Sequence, residues 1–260
     1  MKRLAVIFLL LQIVHIGLIG CNNSKKTEKT EAIKIKKTIK PSIKTPQKIT
    51  GLVGYWKFDG NANDESENNN HGKWVGKEEY RDDGVFGKAA YFDGISNYVS
   101  IPHSPSIKDI GKEAFSLGIW INSMGKSNNK NQHFFNKRAG GIGINWDIYL
   151  SATSENINVE MASNSLGNPK SNMKINEWYH LFLIRHSSGD TDIYIDGKPL
   201  ASKSIPGDSS NTHPLGIGNL EGALDQGFAG RIDEVVLFNR ALSYKEIADL
   251  INITTTNIQP

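Results

Sequence analysis

Apolar residues fall into three regimes along the 260-residue chain. Leu4 to Ile19 is almost wholly apolar, interrupted by Gln12, His15 and Gly17. Asn22 to Thr50 has no aromatic residue and is dominated by Lys, Thr, Ile and Glu. From Gly51 onward, short β-rich runs alternate with clusters of Gly, Asn, Asp and Ser. These runs predict strands at 52–58, 89–92, 98–101, 115–121, 133–137, 142–150, 157–161, 178–186, 192–195 and 230–238. Short strands at such even spacing predict an all-β sandwich. Asp196-Gly197, between Ile195 and Lys198, predicts a tight hairpin turn. One helix is predicted near the end. Ser243 caps it, Glu246 completes a capping box, and Ile247, Leu250 and Ile251 form its apolar stripe.

The three regimes divide the chain into a leader (1–20), a tether (21–50), a folded domain (51–253) and a short tail (254–260). Lys2 and Arg3 precede the apolar leader, as in a signal peptide. Its end, Leu18-Ile19-Gly20-Cys21, resembles the lipobox of bacterial lipoproteins. That resemblance implies cleavage before Cys21 and lipid chains, palmitate among them, on this residue. Two or more chains give stable membrane anchoring where one does not. An uncleaved membrane-spanning helix is the alternative reading of the leader. Both readings put the domain outside the cytoplasm. On the lipoprotein reading the address is a bacterial envelope. Asn22 lacks the acidic character that marks inner-membrane retention in some bacteria, which favours the outer membrane. Cys21 is the single cysteine, so no intramolecular disulfide staples the domain.

Charge is segregated in the same way. The net charge of +3 conceals nine Lys against two Glu in 22–50, and 19 basic against 25 acidic residues in 51–260. The tether repels itself and should stay unfolded, spacing the domain from the lipid surface. Because the folded part is acidic, nucleic acid is not an expected partner.

Several strings in the domain occur in a recognisable order. Gly54-Tyr55-Trp56-Lys57-Phe58-Asp59 opens it, and Gly87-Lys88-Ala89-Ala90-Tyr91-Phe92-Asp93-Gly94 follows. Then come Phe115 to Trp120, Glu177-Trp178-Tyr179-His180 and Asp192 to Gly197. Gly230-Arg231-Ile232-Asp233-Glu234-Val235 leads the last strand. Together they resemble the LamG-like jellyroll family of the concanavalin A-like lectin/glucanase fold. The resemblance implies two antiparallel sheets packed as a jelly roll, with one concave face. The segment 125–170 matches none of its motifs. The Asn-rich run at Glu67–His71 also departs from the family pattern.

Catalysis is not expected. Glycan-cutting enzymes of this fold carry Glu-x-Asp-x-x-Glu on one strand, and no such string is present. The histidines form no close metal-ligand pair. A structural Ca2+ is a candidate cofactor. Asp59 and Asp64 flank an oxygen-rich loop, and the resemblance pairs Asp59 with Asp233. Asx-turns, and pairing of Asp233 with Arg231 or Arg240, would account for the same residues without metal. Trp56, Trp120 and Trp178 sit in family motifs and are expected in the core. Trp146, Tyr149 and His133 lie outside the strongest motifs and are the expected ligand-binding residues. The expected function is therefore a non-catalytic, envelope-anchored binding module for glycans. A protein-binding adhesin or assembly component is the alternative, and a glycoside hydrolase is less favoured.

Overall fold

The computed structural model describes residues 46–125, 130–138, 146–151, 156–162, 164–220 and 226–255. The leader, Cys21 and the tether up to residue 45 lie outside these residues. So do residues 256–260 of the tail.

The strands in chain order are β1 Leu52–Trp56, β2 Lys73–Val75, β3 Tyr80–Arg81, β4 Ala89–Asp93 and β5 Tyr98–Ile101. Next are β6 Phe115–Ser123, β7 Gln132–Lys137, β8 Trp146–Leu150, β9 Ile157–Met161 and β10 Asn164–Ser165. The series closes with β11 Trp178–Arg185, β12 Asp190–Ile195, β13 Lys198–Ser204, β14 Leu215–Ile217 and β15 Ala229–Phe238, then helix α1 Tyr244–Thr255. They form two antiparallel sheets, the expected sandwich. The eight-stranded back sheet runs β13-β12-β11-β6-β15-β4-β3, with β1 paired to the far half of β15. The seven-stranded front sheet runs β10-β9-β8-β7-β14-β5-β2.

One continuous core fills the space between the sheets. It includes Trp56, Phe92, Phe115, Ile121, Phe135, Trp146, Ile148, Val159 and Ile232. A second apolar cluster lies on the outer side of the back sheet. There Tyr55, Phe182, Ile184, Val236 and Phe238 meet Ile247 and Leu250 of α1. The helix thus covers the part of that outer face around β1, β11 and the far half of β15. Its start is capped as expected: Ser243 N–H donates to Glu246 Oε2 at 2.8 Å, and Glu246 N–H donates to Ser243 Oγ at 3.3 Å.

The Asp196-Gly197 hairpin is also present. Ile195 pairs with Lys198, and both turn residues have positive φ (48° and 72°), as a two-residue primed turn requires. The domain begins earlier than expected. Pro46–Lys48 forms a 3-10 turn and Ile49 is buried against the second cluster, so residues 46–50 pack on the domain rather than belonging to the tether. The strands β2, β3, β10 and β14 were not expected. They are two or three residues long, so neither alternation nor propensity marks them.

A candidate ligand-binding face on the seven-stranded sheet

Side chains alternate across a strand. In β8 this turns Trp146, Ile148 and Leu150 into the core and Asp147 and Tyr149 to the outer face. In β9, Ile157, Val159 and Met161 turn inward, and Asn158 and Glu160 turn outward. Residues directly opposite in a sheet share a face. One cross-strand row therefore runs Ser165, Glu160, Asp147, Asn136, Gly216, Ser100, Lys73, one residue from each of the seven strands. Every member is polar or glycine. Gly216 is required at its place, since a Cβ there would lie 2.9 Å from Asn136 Oδ1 and 2.7 Å from Asn219 O.

A hydrogen-bonded network covers the left half of this row. His133 Nδ1 lies 2.7 Å from Asp147 Oδ2, which Arg138 Nη1 approaches at 3.3 Å. Arg138 also reaches Glu160 Oε2 at 3.9 Å. Tyr149 Oη donates to Glu160 Oε1 at 2.6 Å and accepts from Asn158 Nδ2 at 2.6 Å. Burial, and then the Glu160 carboxylate, push the Tyr149 phenol well above its ordinary range, so it stays a donor. Asn136 Nδ2 donates to the backbone carbonyl of Asn219 at 2.8 Å.

The network is buried yet incomplete. His133, Asn136, Asp147 and Asn219 are each at most 3% exposed. Five of its buried polar atoms have no hydrogen-bond partner: His133 Nε2, Asn136 Oδ1, Arg138 Nε, Asp147 Oδ1 and Asn219 Nδ2. Buried polar groups are normally paired, and each exception needs an explanation. Ordered water or a ligand rich in hydroxyl groups would supply one, because each donates and accepts at once.

The structure thus brings His133 and Tyr149 together, with their rings 5.0 Å apart. It separates Trp146 from them. Trp146 is fully buried between Phe115 and Phe135, at ring distances of 5.2 and 5.3 Å. Its expected place on the binding face is corrected: the parity of β8 turns it into the core. Asp147, Glu160, Asn158, Arg138, Asn136 and Asn219 were missed. The alternation of 146–150 and 157–161 carried a signal for three of them.

The three carboxylates considered for calcium each accept from backbone amides. Asp64 organises its own loop, accepting from the backbone of Tyr55, Ser66 and Asn70. Asp59 and Asp233 both face the 84–88 segment. Asp59 Oδ1 accepts from Lys88 N–H at 2.9 Å, and Asp233 Oδ2 accepts from Phe86 N–H at 3.1 Å. A bulge in β15 places Asp233 there and turns the next residue, Glu234, toward Tyr55, with φ at +49°. Burial and then Glu234 push Asp233 up to about 9, and burial pushes Glu234 up to about 7. The charge of this group suits a divalent cation. Among the described residues no three His, Cys, Asp or Glu form a metal-holding group.

Two antiparallel sheets packed over one core define a jelly-roll sandwich. Residues 93–248 match the concanavalin A-like lectin/glucanases superfamily, and the chain belongs to that family. No curated protein sequence matches it. Among solved structures, it resembles domain 4 of the GH43 extracellular arabinanase AbnA from Geobacillus stearothermophilus, determined in complex with arabinotriose. The TM-score is 0.60 at 20% identity, over 77% of this chain and 98% of that one. The binding domain of Paraclostridial Mosquitocidal Protein 1 gives 0.64 at 21% identity, over 78% and 52%. A structure of botulinum neurotoxin type C gives 0.59 at 16% identity, over 78% and 51%. The chain spans nearly all of the arabinanase domain and about half of each toxin structure. At these identities the likeness shows the fold.

Proposed function

We propose that the chain is a non-catalytic glycan-binding module whose site is the outer face of the seven-stranded sheet. The observation that carries this reading is the set of five buried, unpartnered polar atoms around Asp147. They mix donors (Arg138 Nε, Asn219 Nδ2) with acceptors (Asn136 Oδ1, Asp147 Oδ1), the pattern that pairs with sugar hydroxyls. The similar structures support it in kind. The arabinanase domain was determined with arabinotriose, and the route of botulinum neurotoxin type C into cells depends on two ganglioside molecules. A glycan array probed with the full chain tests the reading. Saturable binding is expected, weakened at least tenfold, or about 1.4 kcal/mol, by Asp147→Asn. A blank array, or binding indifferent to that change in a variant that melts like wild type, would refute it. Running the array in calcium and again in chelator tests the further proposal that Asp59 and Asp233 hold Ca2+.

One observation favours a second reading. Asp147 and Glu160 stand directly opposite on neighbouring strands, and Arg138 reaches both. Two carboxylates side by side are what glycoside hydrolysis uses. Incubating each bound glycan with the protein decides between the readings: intact glycan supports a binding module, and new reducing ends a hydrolase.

We also propose that Cys21 carries the lipid anchor of a bacterial envelope lipoprotein, supported by the order of leader, Cys21 and Lys-rich tether. The Cys21→Ala chain should incorporate no labelled palmitate and should leave the membrane fraction. Labelling equal to wild type would sink the proposal.

A further inference from the structure

On the outer face of the eight-stranded sheet, α1 packs on one side, over Tyr55, Phe182, Val236 and Phe238. On the other side a second cross-strand row runs Tyr91, Arg231, Asn122, Trp178, each opposite the next. Ala90, Ile121 and Ile232, their neighbours along the strands, belong to the core, so this row points outward. Tyr91 and Trp178 are only partly buried, although the family motif around Trp178 had suggested a core residue.

The row is built of flat groups. The Arg81 guanidinium lies 4.2 Å from the centre of the Tyr91 ring, and that of Arg231 lies 5.9 Å from the Trp178 ring. Arg231 Nη2 donates to Asn122 Oδ1 at 2.8 Å, while its Nη1 pairs with Asp83. Its Nε is buried and has no partner. Beside the row is a cleft of about 320 Å³, lined by Arg81, Asp83, Tyr91, Met124, Asn176 and Arg231. That volume is at the small end of the range for small-molecule sites. Met124, 48% exposed, supplies an apolar wall.

We infer that this cleft is a second saccharide site, on the sheet opposite the first, and that it takes an uncharged sugar unit. The charge pairing selects against an acidic one. Each guanidinium already has a carboxylate, Glu79 for Arg81 and Asp83 for Arg231, so the cleft offers an anion no unmatched cation. A purely apolar ligand would strip water from Asp83 and Asn176 and return no hydrogen bond. A sugar ring satisfies both demands. Its C–H face packs on Met124 and the Tyr91 edge, and its hydroxyls donate to Asp83 and accept from Arg231. With sites on both sheets, one domain bridges two glycan chains, and a monomer can cross-link a polysaccharide. This bridging role rests on the glycan reading of the first face.

Calorimetric titration of the full chain in detergent tests it, with neutral glucan, xylan, mannan and galactan tetrasaccharides and with oligogalacturonate as the charged probe. Two neutral ligands per chain are expected in the wild type. Asp83→Ala and Tyr91→Ala should each leave one, Asp147→Asn should leave the other, and the Asp83→Ala/Asp147→Asn pair none. Asp83 side chain is 62% exposed, so its loss leaves the fold intact. By freeing Arg231, Asp83→Ala should also gain oligogalacturonate binding. One ligand per chain, abolished by Asp147→Asn and untouched by Asp83→Ala and Tyr91→Ala, overturns the second site and keeps the first. One ligand abolished by Asp83→Ala but not by Asp147→Asn supports the second site and removes the first. Tight oligogalacturonate binding by the wild type that is lost in Tyr91→Ala overturns the neutral class. Silence with every probe overturns both sites.

Discussion

Replacing Trp146 by Ala should cost about 3–5 kcal/mol of folding stability, the range for a large buried aromatic side chain. The ring is fully buried, stacked on Phe135 and tilted against Phe115, where the two sheets meet. Gly111 has been shaped around it. A Cβ there would sit 2.9 Å from Trp146 Cδ1, and the backbone φ of +97° suits glycine alone. A domain at the low end of the usual range of about 5–15 kcal/mol would be left partly unfolded. Trp146→Phe keeps a ring in the stack and removes an indole N–H that has no partner, so it should cost less, about 1–2 kcal/mol. Denaturant midpoints on the three proteins check this. An Ala variant within about 1 kcal/mol of wild type would contradict full burial. The consequence for function is direct. Lost glycan binding in Trp146→Ala would report unfolding, whereas lost binding in Asp147→Asn reports the site.

The second large effect is on pH dependence. Glu234 is buried beside Tyr55 and has its carboxyl pushed up from 4.5 to about 7, chiefly by burial. In the unfolded chain the group ionises near its ordinary value. The folded state therefore binds the proton more tightly than the unfolded state. The resulting stability is fully present below about pH 4.5 and is lost as pH rises through about 7. At about 1.4 kcal/mol per unit, the loss is about 2–3 kcal/mol after allowing for residual solvent contact. Asp233, pushed up from 3.8 to about 9 by burial and then by Glu234, adds a loss of the same sign across the whole span from about pH 4 to 9. Glu234→Gln keeps an acceptor for the Tyr55 hydroxyl and cannot ionise. It should make the stability curve shallower between pH 4.5 and 7, where Asp233 still contributes, and, by removing a neighbouring charge, ease the alkaline loss as well. Urea unfolding from pH 4 to 9 in chelator measures both curves, and identical slopes would refute the account. Adding calcium to the wild type then asks whether a cation relieves the same strain.

The local code of the domain was legible wherever one physical rule acted alone. The capping box of Ser243 and Glu246, the Asp196-Gly197 turn and the alternation of 157–161 each depend on near neighbours, and each is present. Strands β2, β3, β10 and β14 were not legible. At two or three residues they are too short to show a period, and β2 and β14 are held by partners distant in sequence. The Trp146 assignment failed for a related reason. A tryptophan after a glycine-rich string fits surface or core equally, and only the pairing of β8 between β7 and β9 sets which face it takes.

The site divides along the same line. By itself the sequence determined the sandwich, its closing helix, the segregation of charge and two of the clustered polar residues, His133 and Tyr149. Composition, period and turn chemistry are local and survive without a partner strand. Tertiary structure alone decided that Asp147, Glu160, Asn136 and Gly216 share one row, and that Asp233 and Glu234 part at a bulge. Strand register, set by packing both sheets on one core, brings residues scores of positions apart to adjacent places, and no short-range rule encodes that number.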